Sequence, residues 1–205
     1  FVLINNLTSE KNGQVDVFLK TNSKLDKDIL DILKAYNITL PIIQKNGNTQ
    51  ASLLMKFPYD TTKNMSTYGE FFLNDAKVAI NNFEFESKNA EVILDDSIIK
   101  IKNSDFKYKD MINATLNLNL DIKTLKSYGD ANIKSFLIKE ENKESLVEIK
   151  DKNTAIDLNF NNEVSILLKD LGTNIKISDL IYVNIDDLSK IYPYSKLLKD
   201  NSIKE

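Results

Sequence analysis

The chain has 205 residues, 42% of them hydrophobic and 28% charged, with a formal net charge of −3. That length suits one large β domain or two small ones, and the composition is ordinary for a folded chain. The charge balance excludes a basic nucleic-acid footprint, and all 27 cationic residues are Lys, so the Arg fork that reads phosphate and guanine is missing.

Cys, His and Trp are absent. Disulfides, thiol nucleophiles and thiolate metal sites are therefore excluded, and so are His-based zinc sites and the usual serine triads. The lack of Cys fits an oxidising compartment. No apolar run approaches the roughly 20 residues that span a bilayer. The chain starts at Phe1 rather than Met, so a piece of a longer protein is expected. Phe1-Val2-Leu3-Ile4 is too short for a signal-peptide core and reads as a strand.

From the N-terminus onwards, period-2 alternation is the dominant signal, and it places apolar side chains on one face of a strand. Val15, Val17 and Leu19 alternate with polar residues, with Phe18 on the opposite face. A helix is predicted over 23–36, with Ser23 and Asp26 as a short capping box and Leu25, Ile29, Ile32, Leu33 and Tyr36 as one apolar stripe. Pro41 lies beyond its end.

The next alternating segments contain Phe83 and Phe85, Val92 and Leu94, then Ile99 and Ile101. The longest alternation is 111–122, where Ile112, Ala114, Leu116, Leu118, Leu120 and Ile122 take every second position. At about 3.3 Å per residue this strand reaches roughly 36 Å. Further segments hold Ile133, Phe136 and Ile138, then Val147 and Ile149, then Ile156, Leu158 and Phe160, and finally Ile166, Leu168, Ile175 and Ile177.

Turn signals separate them at Asn12-Gly13, Asn46-Gly47-Asn48, Tyr68-Gly69, Asp95-Asp96, Tyr128-Gly129 and Leu171-Gly172. Their spacing predicts an antiparallel meander. Gly47 to Leu54 and Gly69 to Ile80 form a loose repeat, each a Gly followed by alternating strand residues. A second helix is predicted over 186–200, starting at Asp186-Asp187, with Leu188, Ile191, Leu197 and Leu198 as packing residues and a kink or restart at Pro193. The fold class is mainly β: a long, curved, mostly antiparallel sheet, an open groove or sandwich-like, with two short amphipathic helices. One continuous domain, 1–205, accounts for it.

No motif carries recognisable catalysis, so no enzyme, cofactor or metal is expected. The adjacent acids Asp95-Asp96, Glu140-Glu141 and Asp186-Asp187 read as a turn, an exposed loop or strand end and a helix start. Asp157, Asn159, Asn161 and Glu163 begin like a calcium loop, but Asn162 stands where Gly is required and Leu168 where Glu is. Phosphate loops are absent. The aromatics Phe71, Phe72, Phe83, Phe85, Phe106, Tyr108, Phe136 and Phe160 read mainly as sheet core.

The strand at 111–122 needs a cover, because its bare face would exceed the few hundred Å² that soluble monomers expose. A second sheet, the amphipathic helices or a lipid ligand would each provide one.

The order of features over residues 47–138 resembles the AsmA-like group of bacterial envelope proteins, close to its TamB and YhdP relatives. The match rests on Gly69-Glu70-Phe71-Phe72-Leu73-Asn74-Asp75-Ala76-Lys77-Val78, on Ile99-Lys100-Ile101-Lys102-Asn103-Ser104-Asp105-Phe106-Lys107-Tyr108, and on the long strand that follows them. The resemblance implies a curled β-sheet groove of the bridge-like lipid-transfer type, periplasmic and anchored to the inner membrane by a segment outside this stretch. It implies phospholipid or another acyl-chain lipid as ligand, passage towards the outer membrane, and inner- and outer-membrane proteins as partners. The groove face it implies is Ile112, Ala114, Leu116, Leu118 and Leu120 with Ile99, Ile101, Phe83 and Phe85. The other reading that the residues leave open is a closed β-sandwich acting by protein contacts, with no lipid.

Overall fold

The computed structural model describes residues 1–5, 13–35, 39–40, 42–80, 83–139, 145–160, 164–177 and 181–195. Its strands are β1 (Val2–Asn5), β2 (Gln14–Ser23), β3 (Ile43–Pro58), β4 (Ser66–Ile80), β5 (Phe83–Asp95), β6 (Ile98–Tyr108), β7 (Ile112–Asp121), β8 (Lys126–Lys139), β9 (Ser145–Asn159), β10 (Val164–Leu168), β11 (Thr173–Ile177) and β12 (Ile181–Ile185). Helix α1 covers Lys27–Ala35 and α2 covers Leu188–Ile191. The strands form one 12-stranded open sheet in sequence order, and each pairs antiparallel with the next, from β1–β2 to β11–β12. The described strands thus make a meander, and a second sheet is not what covers the apolar face.

The most regular strand is not the longest. β7 has 10 residues, whereas β3 has 16 and β9 has 15. The longer strands hide their length in a phase change. Inward positions in β4 run to Leu73 and resume at Ala76, with Asn74 and Asp75 both exposed. The same three-residue step runs from Ser87 to Ala90 in β5, from Ile101 to Ser104 in β6, from Ile133 to Phe136 in β8 and from Ile149 to Lys152 in β9.

Each step is one extra residue, a β-bulge, which keeps the same face inward and bends the strand. Asp75, Asn103 and Asp151 take positive φ at these points, and Gly47 does so in β3 at φ 86. Adjacent bulges oppose one another in the ladder, as at Asn74 with Asn89 and Ser135 with Lys150. The register shifts where a bulged strand meets the straight β7, and also at the Gly47 bulge between β3 and β4.

Three Gly turn signals therefore fall inside strands. Gly47 is in β3, Gly69 in β4 and Gly129 in β8. At Gly129 the cause is close approach, since a Cβ there would lie 2.0 Å from the Asn117 carbonyl oxygen on β7. The turn at Asp96-Ser97 and the one ending at Gly172, φ 54, are where the pattern placed them. Asn12 lies outside the described residues.

The bends roll the sheet onto itself. Asn159 pairs with Lys126, Lys126 with Asp121, Asp121 with Ile98 and Ile98 with Asp95. Phe160, the next residue, therefore belongs to the Asp95 end of the sheet, while Phe83 opens the 13-residue β5 at the other end. In a flat sheet that separation is about 40 Å along the strand and about 19 Å across four strands. The two rings lie 6.3 Å apart. Opposite corners of one apolar face meet, and that face covers itself.

Both helices begin later than the sequence pattern suggests. Ser23 ends β2, where it pairs with Thr49. Asp26 is the cap instead, accepting from the Ile29 N–H at 3.2 Å. Of the stripe, Leu25 and Leu33 are buried, Ile29 is half-buried and Ile32 is exposed; Tyr36 and Pro41 lie outside the described residues. Asp187 caps α2 through the Ser189 N–H at 3.0 Å. The chain then restarts as one tight turn over Tyr192–Tyr194, which contains Pro193. Ile191 packs but Leu188 is exposed, because this helix is a single turn with one buried side; Leu197 and Leu198 lie outside the described residues.

This C-terminal segment covers a sheet edge. β10 pairs with β9 only over Ile156–Asn159, and Ser195 bridges Val147 further along. The Ser195 hydroxyl also donates to the Leu146 carbonyl at 3.0 Å. Covering unpaired ladder groups in this way blunts strand addition.

Candidate functional site

The rolled sheet encloses a cavity of about 110 Å³. Strand β4 supplies Phe71, Leu73, Val78 and Ile80, β5 supplies Phe85, Val92 and Leu94, and β7 supplies Leu116, Leu118 and Leu120. Leu158 and Phe160 close it from the β9 end, and Leu25, Leu40 and Ile42, which flank α1, roof it. The roof is pinned by Gln44, a buried amide. Its Oε1 accepts from the Leu25 N–H at 2.9 Å and from the Thr49 hydroxyl at 2.7 Å. Its amide nitrogen donates to the Asn46 carbonyl at 3.1 Å, beside the β3 bulge.

Of the groove face read from the sequence, Ile99, Ile101, Phe85, Leu116, Leu118 and Leu120 line this cavity. Phe83, Ile112 and Ala114 are buried outside its lining. Phe83 is 1% exposed and sits in an aromatic cluster, 4.7 Å from the Tyr108 ring and 6.1 Å from Phe106. The β4 residues and Phe160 were not part of the groove face read from the sequence, because alternation assigns a face but not what that face meets across the roll. Of the aromatics singled out above, Phe72 is exposed on the outer face, Phe85 is half-buried and the rest are buried.

Three serines also line the cavity. The Ser104 hydroxyl is held at the β6 bulge, donating to the Lys102 carbonyl at 2.9 Å and accepting from the Glu91 N–H at 3.1 Å. The hydroxyls of Ser87 and Ser127 are buried without a hydrogen-bond partner. Polar groups in that condition are uncommon in native interiors.

The acidic pairs have structural partners. Asp95 receives Lys100 at 2.7 Å, and Asp96 accepts from the Thr67 N–H at 2.8 Å. The hydrogen bond from Lys100 to Asp95, and then the charge of that carboxylate, hold the Lys100 ammonium above its usual pKa. Asp186 accepts from the Asn184 amide at 2.7 Å. Asp187 accepts from the Ser189 hydroxyl at 2.6 Å and from its N–H, which holds the carboxyl below the usual carboxylate range. Glu140 and Glu141 lie outside the described residues. Asp157 and Asn159 sit in β9, where Asp157 meets Lys169 at 2.9 Å; Asn161, Asn162 and Glu163 lie outside the described residues. Among the described residues no cluster of acidic side chains is arranged to hold a metal ion, and no helix is long and apolar enough to cross a membrane.

No family model, curated protein or solved structure matches the chain.

Proposed function

We propose that this chain is a non-enzymatic section of an AsmA-like envelope protein that binds lipid acyl chains in its apolar β-sheet interior and serves phospholipid transport to, or maintenance of, the outer membrane. The observation that carries the reading is the cavity: one sheet bends around it, and nearly all of its lining is aliphatic or aromatic. Each buried CH₂ of a lipid contributes about 0.8 kcal/mol, so affinity needs no polar recognition. Location in the periplasm, with a membrane anchor outside this stretch, belongs to the same proposal.

The test is mass spectrometry of an organic extract of the purified chain, followed by incubation with phosphatidylethanolamine vesicles. Co-purifying or acquired lipid is expected. A protein that arrives empty and takes up none overturns the reading.

A second reading rests on β1. Phe1 is 79% exposed and Val2, Leu3 and Ile4 are half exposed or more, along an edge strand able to receive another strand. That favours a protein-interaction module. Leu3→Lys would abolish such pairing and leave lipid retention unchanged.

A further inference from the structure

We propose that the ligand of this cavity carries an acyl carbonyl, and that the hydroxyls of Ser87 and Ser127 donate hydrogen bonds to it; this rests on the acyl-chain reading above and names the chemical group that the cavity selects. Ser87 is 4% exposed and Ser127 is 5% exposed. Both occupy inward positions that aliphatic or aromatic residues fill elsewhere on the same face. Ser127 pairs with Leu120 on one side and Leu158 on the other, and Ser87 follows Phe85 at the β5 bulge.

A hydroxyl in such a place without a partner destabilises the empty protein, whereas Ala would not. Ser104 sets the contrast, because its hydroxyl serves the backbone, at Lys102 in its own bulge and at Glu91 on β5. Ser87 and Ser127 have no such duty, so their capacity is left for a guest. An acyl ester offers an acceptor and no donor. A serine hydroxyl can donate, so the two chemistries are complementary. A pure hydrocarbon would leave both hydroxyls unpaired.

The probes are methyl butanoate, with its carbonyl carbon labelled with ¹³C, and heptane, which has the same number of heavy atoms. Binding to the 205-residue chain is followed by shifts of its methyl NMR signals, and the bound ester carbonyl by its infrared stretch. The parent is expected to bind the ester about fivefold more tightly than either serine-to-alanine variant, the difference that one net hydrogen bond supplies, with its carbonyl band moved to lower frequency. Ser87→Ala and Ser127→Ala should each reduce ester binding and weaken the shifted band, while heptane binding holds or improves. Neither variant should lower the melting temperature of the empty protein, which a purely structural serine would do.

Equal ester binding by the parent and both variants, or an ester band unmoved by either substitution, overturns the carbonyl assignment and leaves the acyl-chain reading standing. That result is also expected if a buried water serves the two hydroxyls. Failure of both probes to bind overturns the assignment together with the reading on which it rests.

Discussion

The contact between Phe83 and Phe160 gives the roll of the sheet a thermodynamic test. The perturbation is a double-mutant cycle with Phe83→Leu and Phe160→Leu, chosen so that each site keeps an apolar side chain and most of its volume. The rings are 6.3 Å apart and inclined at 43°, a geometry whose coupling runs to about 1 kcal/mol beyond buried area. Each single variant is expected to cost about 1–2 kcal/mol, because the ring face loses close contacts in a packed interior. The double variant should then cost about 1 kcal/mol less than the sum of the singles. If the sheet were flat, the residues would sit about 44 Å apart, and sites separated by more than 7–10 Å add to within about 0.3–0.5 kcal/mol. The assay is urea unfolding followed by far-ultraviolet circular dichroism, since the chain has no Trp, with midpoints compared at constant slope. A coupling below about 0.3 kcal/mol would refute the diagonal closure and the self-covered core with it.

Gly129→Ala should cost about 3 kcal/mol, the upper range for overpacking, because its Cβ would sit 2.0 Å from the Asn117 carbonyl oxygen; an unchanged melting temperature would rule out so close an approach of β7 and β8. Deleting Lys100, which separates the inward Ile99 and Ile101, should abolish cooperative unfolding by turning one half of β6 inside out, whereas deleting Asn103, the extra residue at φ 42, should keep both halves on their faces, and Asn103→Gly should stay within about 0.5 kcal/mol of the parent. For Asp187 the folded pKa is depressed, with the Ser189 hydroxyl as first cause. Its stabilisation is therefore full above the unfolded value and is lost as pH falls through the lower folded value. An NMR titration of that carboxyl should give a midpoint below that of a free Asp side chain, and Asp187→Asn should keep the cap while removing the acid-side slope; a midpoint at the free value would sink this account.

The sheet was legible in the sequence because alternation is a local property. Ile112 to Leu120 announces β7 with no help from tertiary structure. The same property concealed the true length of the neighbours. A skip such as Ser87 to Ala90, between Phe85 and Val92, reads as the end of one strand and the start of another. Tyr68-Gly69 and Tyr128-Gly129 compounded the error, since Gly marks a turn in one context and a close strand approach in another. The candidate site was half legible for the same reason. Ile99, Ile101 and Leu116 to Leu120 belong to the inward face by parity alone. Phe160 and Leu25 join them only through the roll of the sheet and the Gln44 pin, which depend on contacts distant in sequence. Ser87 and Ser127 carried no sequence signal, as Ser on a strand is unremarkable until its surroundings are known.

The closure also sets terms for the lipid proposal. An engineered apolar cavity of about 150 Å³ holds a benzene, so a cavity of about 110 Å³ does not take a whole acyl chain while the sheet stays rolled. Parting of the diagonal would make room for one. Nothing in the ladder resists that, because β5 pairs with β4 and β6 while β9 pairs with β8 and β10. What holds the corner is side-chain packing, and the ring pair contributes about 1 kcal/mol of it. Two methylenes of a lipid contribute more than that. Lipid occupancy and the Phe83–Phe160 coupling should therefore oppose each other. Repeating the cycle on lipid-loaded protein should bring the coupling below about 0.3 kcal/mol. A coupling that keeps its full value while lipid remains bound would mean that the corner stays shut, and that the lipid lies on some surface other than this interior.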